Sequence, residues 1–343
     1  MMKLAIVGAG VAGSFLASTL KQRGNEVEVF EWYSKDLHFP VCAWGASRNM
    51  LSHFSNMAGL NFDDYVLHVG KRIEIRLPNG KNEFLNCLGL VTYDKKKWEN
   101  DLLDGIKINY GTRCTQDNFP FHKYDYVFDC TGFHRSLLPK PKEKELVIPA
   151  WEYLVDNVHD ENEFYILGYK HAMGYFWFFP LDGSRAYVGA GDMNREYHGV
   201  KEFFEKQPHA RILAKIGRPI RITPPTRMEP ITNGNVIGVG ESVGCVFPLL
   251  GEGIIPSLIC SEILLDLFEE KKYSEKEYKK RLFKKLGYYD DVYQVIKLKM
   301  QGKLSTIRHL KLLHSLYRHM KKEEKRFGFE INMEKLLTLL NAL

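Results

Sequence analysis

Six residues near the start of the chain constrain its fold more than anything else: Gly8-Ala9-Gly10-Val11-Ala12-Gly13. They close a short apolar run, residues 3–7, and open a segment, residues 11–23, with apolar residues at helical spacing that ends at Gly24. Residues 26–30 alternate as a second strand and finish at Glu31, 18 positions past the third glycine. The first glycine permits a tight turn, the second lets a pyrophosphate reach the backbone, and the third lets helix and strand pack closely. The helix start, with Ala12 in its first turn, offers free N–H groups and a positive dipole end to phosphates. Glu31 stands where an acid accepts from ribose hydroxyls. The chain therefore opens with a βαβ dinucleotide-binding unit, although this motif alone does not separate NAD from FAD.

The opening apolar stretch, Leu4 to Leu20, follows Lys3 and has the length of a signal-peptide core. Its glycines and its continuation into an alternating strand favour the nucleotide-binding reading. Elsewhere no apolar run approaches the ~18 residues of a membrane span. The expectation is a cytoplasmic protein. Six cysteines, Cys42, Cys87, Cys114, Cys130, Cys245 and Cys260, contain no CxxC pair, which argues against a zinc ribbon or an iron–sulfur cluster. No metal site and no nucleic-acid partner are expected. The net charge of +6 is uneven. Between Lys271 and Arg326 there are 18 Lys/Arg against 6 Asp/Glu, so the remaining chain is acidic.

Farther along, residues 71–77 alternate and meet the turn Pro78-Asn79-Gly80, a hairpin foreign to a parallel sheet. Residues 98–106 read as a helix and 124–130 as a strand. A second hairpin turns at Asp182-Gly183, and two short helices are expected near 197–206 and 208–216. A strand over 235–239 precedes a helix over 254–268. The pattern from there to Leu343 is helical, interrupted at Gly287 and Gly302. No internal repeat or low-complexity linker is present.

Three later segments narrow the cofactor. Tyr124 to Gly132 is a strand ending in Cys130-Thr131-Gly132. Asn235-Val236-Ile237-Gly238-Val239-Gly240-Glu241 ends in a glycine and an acid, followed by Pro248-Leu249-Leu250-Gly251-Glu252-Gly253-Ile254. In this order and spacing they resemble the p-hydroxybenzoate hydroxylase-like flavoproteins. A narrower match is Tyr175-Phe176-Trp177-Phe178-Phe179-Pro180, which resembles the Tyr-x-Trp-x-Phe-Pro signature of the geranylgeranyl reductase family. Asp94-Lys95-Lys96-Lys97-Trp98-Glu99 is similar to that family's Asp-Arg-x-x-Phe-Asp helix start, with Lys95 in place of arginine. The resemblance spans about residues 1–270.

It implies an α/β protein: a Rossmann-like FAD-binding domain of the two-dinucleotide-fold type, interleaved with an antiparallel β-sheet substrate domain, plus a helical C-terminal region. The expected division assigns 1–60, 90–145 and 225–270 to FAD, 61–89 and 146–224 to substrate, and 271–343 to the basic helical region. Thr131, Gly132, Gly240 and Glu241 would then meet the flavin nucleotide, Glu241 replacing the family's aspartate at the ribityl chain. Gly251, Gly253 and Ile254 would start the helix that faces the flavin pyrimidine, its dipole favouring the reduced, anionic ring. Tyr175, Trp177 and Phe179, with Pro248, would border the substrate; the same three aromatics on one strand face are also what a sheet core looks like. Cys42 sits about where the family has a cysteine near the flavin, although Ala43-Trp44 intervene before Gly45. It is a candidate for a proton-relay or gating role, and equally for a buried structural cysteine.

The activity implied is reduction of isoprenoid C=C bonds by hydride from reduced FAD, on a prenyl diphosphate, quinone side chain or prenyl lipid. The electron donor, NAD(P)H or a ferredoxin-type protein, is open, since no second GxGxxG is present. An FAD monooxygenase or halogenase shares the scaffold. A lipid-binding escort without flavin and an electron-transfer dehydrogenase are further alternatives. No GxSxG, HExxH or P-loop lysine supports other chemistry, and His309, His314 and His319 are read as surface residues. In the basic block, Tyr288, Tyr289, Tyr293, Leu310, Leu313 and Leu316 are interleaved with the charges. That region is expected either to rest peripherally on an anionic membrane surface or to form a solvated helical cap.

Overall fold

The computed structural model describes residues 1–38, 42–159 and 162–342. Lys3–Val7 is the hinge of a six-stranded sheet. It pairs in parallel with Glu26–Phe30 on one side and Tyr126–Asp129 on the other. Lys107–Asn109 extends one edge and Val236–Gly238 the other, both in parallel. The antiparallel strand Thr232–Asn233 ends the sheet. The helix Val11–Gln22 crosses between the first two strands and packs on Ile254–Glu269. Because connections leave the central strand in opposite directions, its carboxyl end is a topological switch point, the place where α/β sheets hold ligands.

The second large sheet has seven strands, in the order Arg211–Gly217, Ala150–Asp156, Ala186–Asp192, Gly174–Pro180, Phe164–Gly168, Arg72–Arg76 and Asn82–Asn86. The two hairpins at Pro78-Asn79-Gly80 and Asp182-Gly183 both form within it. The sheet is not wholly antiparallel: Phe164–Gly168 runs parallel to Arg72–Arg76, where the two chain segments meet. Alternation separates its faces. Phe176 and Phe178 pack with Tyr165, Val188 and Phe203 under the helix His198–Lys206, while Tyr175, Trp177 and Phe179 face the other way.

Three expectations about local structure are corrected. The second short helix near 208–216 is instead the edge strand Arg211–Gly217. Its backbone hydrogen-bonds to Ala150–Asp156, and sheet pairing overrides a weak helical preference. The helix expected over 98–106 begins earlier, at Lys95, because the Asp94 carboxylate accepts from the Lys97 N–H at 2.9 Å and caps it. The C-terminal region is not helical throughout. After the helices Glu275–Leu286, Tyr289–Met300, Leu310–Lys322 and Glu324–Phe327, Gly328 (φ +77°) breaks the helix, and Phe329 bridges to Cys87 before Met333–Ala342.

This region is part of the core. Tyr289, Tyr293, Leu313 and Leu316 are buried, and only Leu310, with its neighbour Ile307, stands strongly exposed, at 60% and 90%. Most of the apolar side chains interleaved with the basic residues are thus spent on internal packing. No helix among the described residues is long and apolar enough to cross a membrane.

Candidate functional site

The carboxyl ends of the six-stranded sheet, the aromatic face of the seven-stranded sheet and the C-terminal helices enclose one cavity of about 470 Å³. Gly8, Gly10 and Ala12 line it, and the three motif glycines have distinct environments. A Cβ on Gly8 (φ +99°) would lie 2.4 Å from the Cys130 carbonyl oxygen, and one on Gly13 would lie 1.9 Å from that of Gly8. At Gly10 a Cβ would meet nothing within 4 Å. The outer two glycines therefore pack backbone on backbone, while the middle one leaves open room at a helix start that no side chain caps. A phosphate needs such a cradle.

Glu31, 7% exposed, is held beside the cradle. Its Oε2 accepts from the Ala9 N–H at 2.9 Å and its Oε1 from the Tyr33 N–H at 3.0 Å, with His38 Nδ1 3.7 Å away. Burial would raise its pKa, but His38 and the two N–H donors outweigh burial and hold the carboxyl below its usual range.

Across the cavity, two turns are stitched to each other. Buried Asp129 accepts from the Thr131 hydroxyl at 2.6 Å and from the N–H groups of Leu137 and Leu138, which shapes the Thr131-Gly132 turn. Ser242 Oγ donates to the Asp129 carbonyl at 2.6 Å and ties in the Gly240-Glu241 turn. Thr131, Gly132 and Glu241 line the cavity. Glu241 Oε1 accepts from the Arg221 N–H at 3.0 Å; burial pushes its pKa up, with Arg221 opposing. Gly240 (φ +73°) is a packing residue, since a Cβ there would press on Ser257 and Ala12.

Gly251, Gly253 and Ile254 line the cavity at the start of Ile254–Glu269, whereas Pro248 is buried off the lining. The Tyr175 hydroxyl donates to the Leu250 carbonyl, so this aromatic fixes the turn as well as forming wall. Trp177 and Phe179 complete that wall. Lys95 also lines the cavity, but its Nζ donates to Glu99 Oε1 at 2.7 Å in a buried pair. Cys42 lies on the wall, and burial pushes its thiol up to about 11, so it is a neutral thiol. Its preceding neighbours Pro40 and Val41 lie outside the described residues.

Sequence reasoning missed three contributors. Glu152 lines the cavity from the strand Ala150–Asp156; an acid in mid-strand, between Ala150 and Leu154 on one face, was the available signal. Ile75, Ile166 and Ile216 extend the apolar wall. The far end is closed by the C-terminal segment, including Phe327, Phe329, Ile331, Leu336 and Leu339. The alternation Phe327-Gly328-Phe329-Glu330-Ile331 was its visible sign. Arg326 pins this segment: its Nη1 donates to Glu252 Oε2 and its Nε to Glu323 Oε2, both at 2.6 Å.

Known proteins agree with this architecture. Two archaeal enzymes, digeranylgeranylglycerophospholipid reductase 2 of Methanococcoides burtonii and digeranylgeranylglycerophospholipid reductase of Methanosarcina mazei, are 24% and 23% identical to the chain. The matches cover 75% and 74% of it, and 72% and 71% of their own lengths. A geranylgeranyl bacteriochlorophyll reductase-like structure from Thermoplasma acidophilum superposes with a TM-score of 0.67 at 16% identity, covering 94% of this chain and 98% of that one. The chain is an FAD-dependent oxidoreductase, similar in fold and sequence to geranylgeranyl reductases. No family model matches it. The oxidoreductase shares its fold with other flavin enzymes too. A flavin-dependent brominase has a TM-score of 0.66 at 11% identity, covering all of this chain and 94% of that one. A probable FAD-dependent monooxygenase of Pseudomonas aeruginosa scores 0.62 at 14%, covering 88% and 99%.

Proposed function

We propose that the protein reduces isoprenoid C=C bonds, in the geranylgeranyl chain of a prenyl diphosphate, quinone or lipid, using FAD. The observation that carries this reading is the shape of the cavity. It runs from the glycine cradle to an end walled by aliphatic and aromatic side chains, which suits a long hydrocarbon. The likeness to two prenyl-lipid reductases supports it.

The residues present fit FAD. The free start of Val11–Gln22 and the open space at Gly10 would take its pyrophosphate, Glu31 a ribose, and Glu241 with the Thr131-Gly132 turn the ribityl chain. The start of Ile254–Glu269 would face the ring. Bound and reduced, FAD supplies two electrons and one hydrogen. The chain's own task is to position an alkene that offers no carbonyl to polarise, to keep water out, and to hold a proton ready. Phe179, Trp177 and the isoleucines of the sheet do the first two by packing on the hydrocarbon. The reductant would come from NAD(P)H or an electron-donor protein.

The test is anaerobic. The protein should purify yellow, and its reduced form should be reoxidised by geranylgeranyl diphosphate or a geranylgeranylated lipid, with a more saturated product. Indifference to the lipid, with rapid reoxidation by oxygen and substrate hydroxylation, would overturn this reading in favour of a monooxygenase. A colourless protein with no affinity for FAD would overturn both.

A further inference from the structure

One ladder of residues crosses the cavity face of the seven-stranded sheet: Ile75, Ile166, Trp177, Gly189, Glu152 and Ile216, each paired with the next. It is apolar but for one carboxyl. Glu152 is 3% exposed, lies on the cavity wall, and has no charged partner in hydrogen-bond reach among the described residues. The Cys42 N–H donates to its carboxyl group, while Oε1 has no partner among the described residues. Gly189 supplies no side chain between Glu152 and Trp177. The indole lies over that gap, its Cε2 2.7 Å from where a Gly189 Cβ would be, and its Nε1 is also buried and without a partner among the described residues. Two unmet polar groups on one apolar wall mark a place where a ligand is handled.

Reducing an unactivated C=C bond takes a hydride and a proton, and Glu152 is the one acid on this ladder. We propose that Glu152 is that source, donating its carboxyl proton to the substrate alkene; the proposal rests on the reductase reading. In the step, the Glu152 O–H bond breaks and the alkene π pair forms the new C–H bond at one carbon. The other carbon receives hydride from the reduced flavin, the two-electron reductant, which is thereby oxidised. Glu152 is left as a carboxylate facing the Cys42 N–H and regains a proton from solvent once product leaves.

The groups facing Glu152 agree with this role. Lys95 of Lys95–Leu102 pulls its pKa down but is itself paired with Glu99. The Tyr187 hydroxyl and the Cys42 thiol are neutral neighbours. Burial dominates and pushes Glu152 up to about 8, so its acid form prevails at pH 7. Cys42, at about 11, is an acid roughly a thousandfold weaker, and a proton donor works best with a pKa near the working pH.

The experiment compares wild type with Glu152→Gln, which keeps shape and hydrogen-bonding capacity but has no acidic proton. Both are reduced anaerobically and mixed with a geranylgeranylated lipid over pH 6–10, and wild type is also examined by infrared spectroscopy. Wild type should show a protonated-carboxyl band at pH 7 that is lost as pH rises through about 8, and its reoxidation rate should fall over the same range. Glu152→Gln should bind FAD and lipid as wild type does, lack the band, and be reoxidised roughly 100-fold more slowly or worse with a flat pH profile. Reoxidation of Glu152→Gln within threefold of wild type would overturn the proposal. So would a wild type without the band at pH 7, a measurement that needs no variant to fold. A wild type that no prenyl lipid reoxidises would instead bring down the reductase reading, and this step with it.

Discussion

Removing the charge of Arg326 tests how the C-terminal segment is held over the site. Arg326 is 5% exposed, its guanidinium bonded to Glu252 and Glu323 and lying 4.0 Å from the Phe327 ring centroid. Arg326→Met keeps an unbranched apolar stem of similar reach but leaves Glu252 inside without a counter-charge. Breaking a buried pair from one side costs about 3–5 kcal/mol. Both carboxylates keep some exposure, Glu252 17% and Glu323 20%, and recover part of their hydration, so the lower figure, about 3 kcal/mol, applies. With an unfolding entropy of roughly 0.7 kcal/mol/K for a chain of this length, the melting temperature should drop by about 4 °C. The pH dependence gives the sharper check. Burial already raises the Glu252 pKa while Arg326 lowers it, so without Arg326 the folded-state value climbs further above the unfolded one. A carboxyl raised on folding costs stability where it must be ionised, so the deficit should be largest at pH 8 and shrink toward pH 5.5. Scanning calorimetry of wild type, Arg326→Met and Arg326→Met/Glu252→Gln at both pH values measures it. The double variant should recover most of the loss. An equal deficit at the two pH values, or a double variant as unstable as the single one, would refute the reasoning.

Other expectations concern the nucleotide end and the aromatic wall. Gly10→Ala should fold with stability within about 1 kcal/mol of wild type, since its methyl meets no atom, yet bind FAD at least about tenfold more weakly by titration. Gly13→Ala should instead lose stability, by about 1–3 kcal/mol or more, because its Cβ strikes the Gly8 carbonyl. Equal behaviour of the two variants would contradict the separate roles. Glu31 has a folded-state pKa below its unfolded one, so it stabilises the protein above the usual carboxylate range and that contribution disappears as pH falls through its lowered value. Glu31→Gln should therefore melt below wild type at pH 7, the gap closing under acid. Tyr175→Phe removes the hydroxyl that ties Gly174–Pro180 to the Leu250 carbonyl and should cost about 1 kcal/mol by denaturant titration; an unchanged midpoint would show the bond is idle.

Local chemistry made much of the nucleotide end legible. Gly8 and Gly13 mark close backbone approaches, and Glu31 ends a strand whose pairing places it at the cradle; these demands act within some 30 residues and leave their mark on residue type. The hairpins at Pro78-Asn79-Gly80 and Asp182-Gly183 are equally local. Where partners lie far apart in the chain, residue type was silent. Arg211–Gly217 is a strand only because Ala150–Asp156 offers it an edge. The aromatic and aliphatic residues of the C-terminal segment became the far wall only when Gly328 let the chain turn back to Cys87. Glu152 is the clearest case. A glutamate in a strand is ordinarily a solvent-facing residue; here the tertiary fold removed the water, placed Gly189 and a tryptophan beside it, and so kept its proton in place at neutral pH. The sequence by itself determined the backbone geometry that a dinucleotide needs. Only the tertiary structure decided which acid is buried on the apolar wall of the cavity, because burial belongs to the packed chain and not to any one residue.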